Sequence, residues 1–253
     1  MVGAVAAAMA VAVQVTRTVA CADGPEIGRA YFYDPPDDQG NCSLPSAGRL
    51  FVSVSTGEYA GSAACGGYLD VTGPLGTVRV QVVDQCTTCR DGELDLSRTA
   101  FAKIAKPDAG VTGIVYSRVR NPRVAKPLAF RVKTGSSTDW MAVQIIDHGN
   151  PLRSVRVLDG PHWRDLRRSG DNYWIFDHRP GPGPFTIRVT DVYGHRATTG
   201  GVDLSPGVVQ RGTRRLYGQS AVTPVTPQTL PSPFPARAPA AAPSPAPTGS
   251  VFC

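Results

Sequence analysis

Short apolar runs dominate the first half of the chain. Five of them are rich in β-branched or aromatic residues and are bounded by Gly, Pro or Asp, a pattern typical of β-strands. The predicted strands are RAYFY, RLFVSVS, GGYLDVTG, VRVQVVD and GIVYSRV. One helix is predicted, because Ser97 can cap the segment RTAFAKIA, in which Phe101 and Ile104 share a face. Many short strands with a single small helix predict a compact β-barrel.

The second half predicts a β-sandwich. Five further runs have the length and spacing of sandwich strands, namely LAFRVKT, MAVQIID, SVRVLD, YWIFD and FTIRVTDV. Alternation within TDWMAVQIID places Met141, Val143 and Ile145 on one apolar face that should meet the core. Trp140 shares the other face with Ala142 and Gln144 and is therefore expected to be exposed. Trp163 and Trp174 are expected to pack in the core.

The two ends of the chain differ from its middle. Val2 to Val15 is an apolar run too short to span a bilayer, and Ala20-Cys21-Ala22 offers a cleavage site, so residues 1–22 are predicted to be a secretory signal peptide. Residues 218–253 are dominated by Pro, Ala, Thr and Ser and are predicted to be a disordered tail. The foldable part divides into a barrel domain, 23–124, and a sandwich domain, 125–217. The protein is expected to be extracellular and monomeric, with no transmembrane segment.

Positive charge is concentrated in the second half. Residues 23–124 hold 10 Lys and Arg against 12 Asp and Glu, a net charge of −2, whereas residues 125–217 hold 14 against 8, a net charge of +6. A basic surface attracts polyanions, and for a secreted chain the expected partners are acidic wall polymers rather than nucleic acid. Arg164, Arg167 and Arg168 form the densest basic cluster, which suits either anion binding or a solvated loop.

The cysteines of the barrel segment predict two disulfides. A zinc site would need more Cys or His ligands beside Cys86 and Cys89, but all four histidines lie in the second half of the chain. The C-x-x-C follows a strand and leads into a Gly-containing loop, which argues against thioredoxin-like redox work. Oxidation in the secretory compartment therefore favours structural disulfides among Cys42, Cys65, Cys86 and Cys89. Of the three pairings, Cys42–Cys86 with Cys65–Cys89 is preferred because a ring closed within C-x-x-C is tight. No metal and no cofactor are expected.

A long stretch of the chain resembles a known family. The run CGGYLDVTGPLGTVRVQVVDQCTTCRDGELDLSRTAFAKIA is similar to the double-psi β-barrel of expansins, above all the microbial expansin-like proteins. The VDQC tetrad is shared with barwin-like proteins, which have the same barrel. LAFRVKTGSSTDWMAVQIIDHGNP resembles the start of the expansin carbohydrate-binding domain. The resemblance implies an all-β fold, a six-stranded double-psi β-barrel followed by an immunoglobulin-like β-sandwich.

The resemblance also implies a function and its residues. Expansins loosen cell walls without hydrolysis, and Asp95 matches their essential acidic residue, while Asp84 matches the aspartate at the end of a strand. Tyr31 and Tyr33 replace small hydroxyl residues of the groove, and Cys86 replaces an aromatic. Of the three aromatics that bind sugar rings in the sandwich, only Trp140 is matched, since Asp139 and Asp171 stand at the other positions; Tyr173 is the candidate substitute.

Two other functions remain open. A related endoglucanase family uses the same barrel with a pair of aspartates as general acid and base, and Asp34 lies within a residue of the expected base, so hydrolysis by Asp34 and Asp95 is an alternative. A non-catalytic, barwin-like binding or inhibitory module is another. The sequence does not choose among cellulose, xyloglucan, acidic polymers and peptidoglycan as the polysaccharide partner.

Overall fold

The computed structural model describes residues 24–33, 40–45 and 48–218. The predicted signal peptide, Asp34 and the Pro/Ala-rich tail from residue 219 onward lie outside these residues. Within the described part, no helix is long and apolar enough to cross a membrane.

Six strands form a closed barrel in the first half of the chain. In chain order they are β1 (Glu26–Tyr33), β2 (Phe51–Ser55), β3 (Tyr68–Gly73), β4 (Gly76–Cys86), β5 (Glu93–Ser97) and β6 (Thr112–Arg118). Around the barrel the order is β1-β5-β2-β4-β3-β6. The pairs β1–β5 and β2–β4 are parallel, and the other neighbours are antiparallel. The predicted six-stranded double-psi barrel is thus confirmed, with β5 as a strand that the sequence pattern did not reveal.

Three short helical segments accompany the barrel, namely α1 (Thr56–Tyr59), α2 (Arg98–Ile104) and a 3-10 helix, Pro107–Ala109. The predicted helix is α2, and the Oγ of Ser97 accepts a hydrogen bond from the backbone N–H of Ala100 at 3.2 Å, as an N-cap residue does. Phe101 and Ile104 are fully buried in the barrel core, which confirms their shared face.

Nine strands follow in two sheets. They are β7 (Ala129–Val132), β8 (Met141–Ile146), β9 (Leu152–Asp159), β10 (His162–Asp165), β11 (Arg167–Arg168), β12 (Trp174–Phe176), β13 (Phe185–Asp191), β14 (Arg196–Val202) and β15 (Val209–Arg211). One sheet has the order β10-β9-β13-β14 and the other β11-β12-β8-β7-β15. Side chains from both sheets share one apolar core, so the predicted immunoglobulin-like sandwich is confirmed.

The barrel packs against the outer face of β8. Met141, Val143 and Ile145 point into the sandwich core as predicted, but Ala142 and Gln144 are also fully buried. The alternation predicted exposure for Trp140 on this opposite face, but the barrel and not water covers Ala142 and Gln144. The Nε2 group of Gln144 donates to the carbonyl of Cys42 at 2.9 Å, and Ile146 belongs to the barrel core.

The described cysteines pair differently from the preferred arrangement: the disulfides are Cys42–Cys65 and Cys86–Cys89. The loops that carry Cys42 and Cys65 dock side by side on β4, since the N–H of Cys42 donates to the carbonyl of Val83 and the N–H of Gly66 donates to that of Val82. A turn after β4 brings the Cα atoms of Cys86 and Cys89 to 5.3 Å, a usual distance for a disulfide. The C-x-x-C ring is therefore accommodated by the turn.

Candidate functional site

One outer face of the barrel collects polar side chains. Leu94 and Leu96 of β5 point into the core, so Asp95 between them points outward. The parallel neighbour β1 places Tyr31 opposite Asp95, and the antiparallel neighbour β2 places Ser53 opposite it. We call the outer side of these strands, which carries Tyr31, Tyr33, Ser53, Asp84 and Asp95, the carboxylate face; Ser53 itself is buried.

Asp95 is half-buried at the centre of the carboxylate face. Burial raises the pKa of Asp95 above its ordinary value, and the negative charge of Asp84 raises this pKa further. A carboxyl group that is incompletely solvated gains more than an exposed one from hydrogen-bond donors that approach it. Asp95 is therefore suited to accept hydrogen bonds from the hydroxyl groups of a polymer laid across the face.

Asp84 is held in place by the backbone. Its Oδ1 accepts hydrogen bonds from the N–H of Asn41 at 2.6 Å and from its own neighbour Gln85 at 2.8 Å. The loop that supplies Asn41 approaches so closely that a Cβ on Gly40 would lie 2.5 Å from the Cβ of Asp84. Only glycine fits at position 40 without a shift, and the contact fixes the orientation of the Asp84 carboxylate.

Tyr33 lies near both acids of the carboxylate face. Its hydroxyl oxygen accepts a hydrogen bond of 2.7 Å from the Oγ of Ser53. Burial raises the pKa of Tyr33 to about 12, and the negative charges of Asp84 and Asp95 contribute to the increase. Ser53 is the member of the carboxylate face that sequence reasoning missed. The signal was present, because alternation in RLFVSVS places Ser53 opposite the core residues Val52 and Val54.

The Cys86–Cys89 disulfide borders the carboxylate face. Both Sγ atoms and a carboxylate oxygen of Asp95 lie within 4.8 Å of one another, and all three residues are half-buried. Where the resemblance implies an aromatic platform at position 86, the chain instead presents a disulfide beside Asp95.

Trp140, the matched one of the three aromatic positions in the sandwich, is accessible in part. It is half-buried and immediately precedes β8. The two acids at the other aromatic positions are paired with bases, Asp171 with the Nζ of Lys133 at 2.5 Å and Asp139 with Arg179 at 3.9 Å. Burial opposes ionisation of Asp171, but hydrogen bonds from Lys133 and Ser169 hold its pKa below the ordinary value.

Tyr173, the candidate substitute for a missing aromatic, is largely covered by the protein. Only 7% of Tyr173 is exposed, and the Nζ of Lys133 lies 4.9 Å from the centre of its ring. Little of the Tyr173 ring is therefore accessible for the stacking on sugar rings for which it was the candidate.

The three arginines after Trp163 do not form one cluster. Arg164 lies on β10 and Arg167 and Arg168 lie on β11, in different sheets, with the buried Leu166 between them. Arg164 and Arg167 are exposed, whereas Arg168 donates to the backbone carbonyl of Leu152, and burial lowers its pKa. Arg168 therefore supports the fold through this hydrogen bond and is less accessible than Arg164 and Arg167.

The two tryptophans that were expected in the core, Trp163 and Trp174, differ in burial. Trp174 is buried beneath Arg168, as expected. Trp163 is half-buried on the edge strand β10, and the guanidinium carbon of Arg188 lies 3.7 Å from the centre of its ring. The expectation of a core position was wrong for Trp163, because register places it opposite Leu158 on the outer face of the sheet.

Fold and site together define a double-psi barrel protein with an appended β-sandwich and an acidic outer face on the barrel. A family model described as "Lytic transglycolase" matches residues 53–116, and one described as "Expansin C-terminal domain" matches residues 128–202. Expansin-YoaJ of Bacillus subtilis (strain 168) is 29% identical over 191 residues, which cover 75% of this chain and 77% of that protein.

Two solved structures are also similar. An Asp-to-Asn mutant of the Clavibacter michiganensis expansin in complex with cellohexaose has 41% sequence identity and a TM-score of 0.74, covering 77% of this chain and 99% of that one. The apo form has 42% identity with the same TM-score and coverage. The chain therefore belongs to the expansin family, among the microbial expansin-like proteins.

Proposed function

We propose that the protein is secreted, binds cell-wall polysaccharide and loosens it without cleaving bonds. The domains would be a signal peptide, 1–22, a barrel that acts on the polymer, 23–124, a sandwich that binds it, 125–217, and a tail, 218–253. The observation that carries the proposal is the position of Asp95, half-buried on an outer face of the barrel between Tyr31 and Ser53.

Asp95 would loosen a polymer by competing for its hydrogen bonds. Its ionised carboxylate accepts hydrogen bonds only, and hydrogen bonds to a charged acceptor are about twice as strong as neutral ones. Hydroxyl groups that would otherwise bridge two chains can bind Asp95 instead. Tyr31 and Tyr33 flank the acid and would contact the sugar rings.

Asp84 has a positioning role in this proposal. Hydrolysis by an acid and a base requires a second carboxyl group that can activate a water molecule. The Oδ1 of Asp84 already accepts hydrogen bonds from two backbone N–H groups. Asp84 is therefore suited to orient Tyr33 and to raise the pKa of Asp95 rather than to activate water. This arrangement favours loosening over hydrolysis for the described carboxyls.

The sandwich would supply affinity. The cellohexaose in the structure of the Clavibacter relative supports a β-glucan as one ligand class for this chain. Trp140 offers a stacking surface, and the paired bases and acids beside it would hydrogen-bond the polymer. Arg164 and Arg167 are exposed and would bind acidic wall polymers through charge.

The test of this function is the substitution Asp95→Asn, which keeps the shape and removes the charge. We expect the wild type to weaken cellulose or wall specimens while releasing no reducing ends, and Asp95→Asn to lose at least about nine tenths of the weakening, since the charge-assisted hydrogen bonds are lost. Binding to the same specimens should change less than about twofold, because the sandwich supplies most of the affinity.

Asp108→Asn is the matched control, since Asp108 is exposed in the 3-10 helix, outside the carboxylate face. This variant should weaken walls as the wild type does. Release of soluble sugars that stops in both Asp34→Asn and Asp95→Asn would show a hydrolase and overturn the proposal. Full weakening by Asp95→Asn would remove Asp95 from the mechanism.

A further inference from the structure

The sheet on the far side of the sandwich carries a basic and aromatic outer surface. The barrel packs on β8, which belongs to one sheet, so the other sheet, β10-β9-β13-β14, faces away from the barrel. Val155 and Val157 of β9 point into the core, and the alternate residues of this strand therefore point outward. We call the outer side of this sheet, which carries Arg156, Leu158, Trp163, Arg188 and Arg196, the arginine face.

Strand register brings two arginines of this face into a directly opposed pair. Arg156 of β9 lies opposite Arg188 of β13, and Arg196 of β14 is a diagonal neighbour of Arg188. Like charges in directly opposed positions destabilise a sheet, so the pair is unfavourable unless negative charge compensates it. Arg156 donates to Asp165 at 2.6 Å. Arg188 and Arg196 have no carboxylate partner among the residues that the structure describes, so the arginine face retains positive charge that an anion could compensate.

Trp163 fixes the orientation of Arg188. The guanidinium carbon of Arg188 lies 3.7 Å from the centre of the Trp163 ring, which is a cation–π contact. Stacking uses the flat side of the guanidinium and leaves its N–H groups at the edge, in the fork geometry that matches a carboxylate. The Nε–H of Arg188 donates to the Oγ1 of Thr198 at 3.4 Å, and within the described part of the chain its terminal nitrogens make no hydrogen bond. Arg188 is therefore oriented in advance for an anionic ligand.

We propose that the arginine face binds a polysaccharide whose sugars carry carboxylates, that is, a polyuronate. The terminal N–H groups of Arg188 and Arg156 would donate to a sugar carboxylate. The ring of the same sugar would contact Trp163 and the exposed Leu158, which lie opposite each other on β10 and β9. Leu158 and Arg156 are two residues apart on one strand, so the apolar row and the basic row are separated by about 7 Å. One acidic sugar can therefore contact both rows.

This site differs from a general attraction between charges. Arg164 and Arg167 are exposed on strands of different sheets and attract any polyanion. The arginine face instead combines a stacked guanidinium with an apolar pair, and this combination favours a ligand that is both a carboxylate and a sugar.

The arginine face and Trp140 lie on different sides of the sandwich. Trp140 immediately precedes β8, and the core between two packed sheets is about 10 Å thick, with the outer faces pointing in opposite directions. One straight segment of polymer does not contact both sides. The protein would therefore link two polymers, a neutral glucan at Trp140 and an acidic chain at the arginine face. This consequence rests on the proposed function, because it assumes that Trp140 binds a glucan.

The experiment is a calorimetric titration of the full chain with a hexamer of galacturonic acid at physiological salt. The fully methyl-esterified hexamer is the uncharged comparison ligand. We expect one acidic hexamer to bind per chain, and the esterified hexamer to bind at least about tenfold more weakly because charge-assisted hydrogen bonds are lost. Trp163→Ala and Arg188→Gln should each weaken binding of the acidic hexamer at least about tenfold. Circular dichroism verifies that both variants are folded.

Conservative variants separate geometry from charge. Arg188→Lys keeps the charge but removes the planar fork, and it should weaken binding at least about fivefold. Trp163→Phe keeps an aromatic ring and should stay within about threefold of the wild type. The matched control is Arg153→Gln, which removes the same charge from an exposed position of β9 outside the arginine face. This control should change the affinity less than about threefold.

Three outcomes would overturn the site. The first is no binding of the acidic hexamer by the wild type. The second is an equal loss in Arg153→Gln and Arg188→Gln, or full binding by Arg188→Lys, because net charge and not the arginine face would then determine affinity. The third is a DNA oligonucleotide of the same charge that binds as tightly and depends on the same residues, because the surface would then recognise any polyanion.

Linking of two polymers is measured separately with polyuronate-coated beads and labelled cellohexaose. The beads should retain cellohexaose only when the protein is present, and both Trp163→Ala and Trp140→Ala should abolish this retention. No retention with the wild type would overturn the linking of polymers. If cellohexaose does not bind in solution either, glucan binding itself fails, whereas the titration with the acidic hexamer still tests the arginine face. Failure of the site and failure of the proposed function are therefore distinguishable.

Discussion

His148 shows how one residue ties domain packing to pH. The ring is buried against the barrel, where a Cβ on Gly66 would lie 2.5 Å from its Cε1 and Nε2 atoms. Its Nδ1–H donates to the carbonyl of Asn150 at 2.7 Å, and its Nε2 has no hydrogen-bond partner among the described residues. Burial lowers the pKa of His148 to about 4, so the folded protein holds the ring neutral.

The free energy of unfolding should therefore fall in mild acid. Between pH 6.5 and about 4 the unfolded chain protonates His148 while the folded chain does not, so proton binding favours unfolding as pH falls. We expect a loss on the order of 3 kcal/mol over this window. Chemical denaturation of the wild type and of His148→Gln at several pH values measures it as the difference between the two slopes.

Two features keep this measurement specific. The raised pKa of Glu58, caused mainly by burial, has the opposite dependence on pH, but it is common to both proteins and cancels in the comparison. The matched control is His178→Gln, since the His178 side chain is largely exposed. Identical slopes for the wild type and His148→Gln would contradict the assignment.

At the scale of elements, the two disulfides have different structural roles. Cys42–Cys65 closes a loop with a sequence separation of 23 and is buried in the barrel core, whereas Cys86–Cys89 closes a separation of 3 at the surface. Loop-closure entropy and burial both indicate that the longer bridge contributes more to stability.

Removal of each bridge should give unequal losses. Cys42→Ala with Cys65→Ala should lower the free energy of unfolding by about 3 kcal/mol, and Cys86→Ser with Cys89→Ser by about 2 kcal/mol or less. Urea denaturation of both double variants measures the difference directly. A larger loss for the surface bridge would mean that its turn, and not the buried loop, holds the barrel closed.

The elements differ in how far the sequence predicted them. The cap at Ser97 and the core face of α2 were readable, because they depend on local hydrogen bonds and helical spacing. The strand β5 was missed because its five residues run directly into that cap. The disulfide pairing was wrong because Cys42 and Cys65 meet only after two separate loops dock on β4. Alternation correctly identified one face of β8, but it does not reveal that a second domain, and not water, covers Gln144.

At the scale of the whole molecule, charge is divided between the two domains. The net charge is −2 over residues 23–124 and +6 over residues 125–217, and the acids of the carboxylate face belong to the first group. In the structure, the exposed Arg164 and Arg167 lie on the second domain. Long-range attraction to a polyanion should therefore act on the sandwich and not on the barrel.

Binding to acidic wall polymers should decrease steeply with salt. The Debye length decreases from about 8 Å at physiological ionic strength to about 3 Å at 1 M salt. Retention on a polyuronate should therefore fall at least about tenfold over that range. Pull-down at a series of salt concentrations measures this, with neutral cellulose as the comparison polymer. Arg164→Gln with Arg167→Gln should reduce retention on the polyuronate at low salt, while Trp140→Ala should reduce retention on cellulose. Retention on the polyuronate that ignores salt would exclude an electrostatic mode.

The loop with Asn41 and Cys42 contacts both Asp84 of the barrel and the sandwich domain. The carbonyl of Cys42 accepts hydrogen bonds from Gln144 and Asn172, while the adjacent Asn41 holds the carboxylate of Asp84. This makes the loop a mechanical linkage. Under the proposed function, a force on a polymer bound to the sandwich would be transmitted through Cys42 and Asn41 to Asp84. Mechanical stress in the wall would then act directly on the carboxylate face.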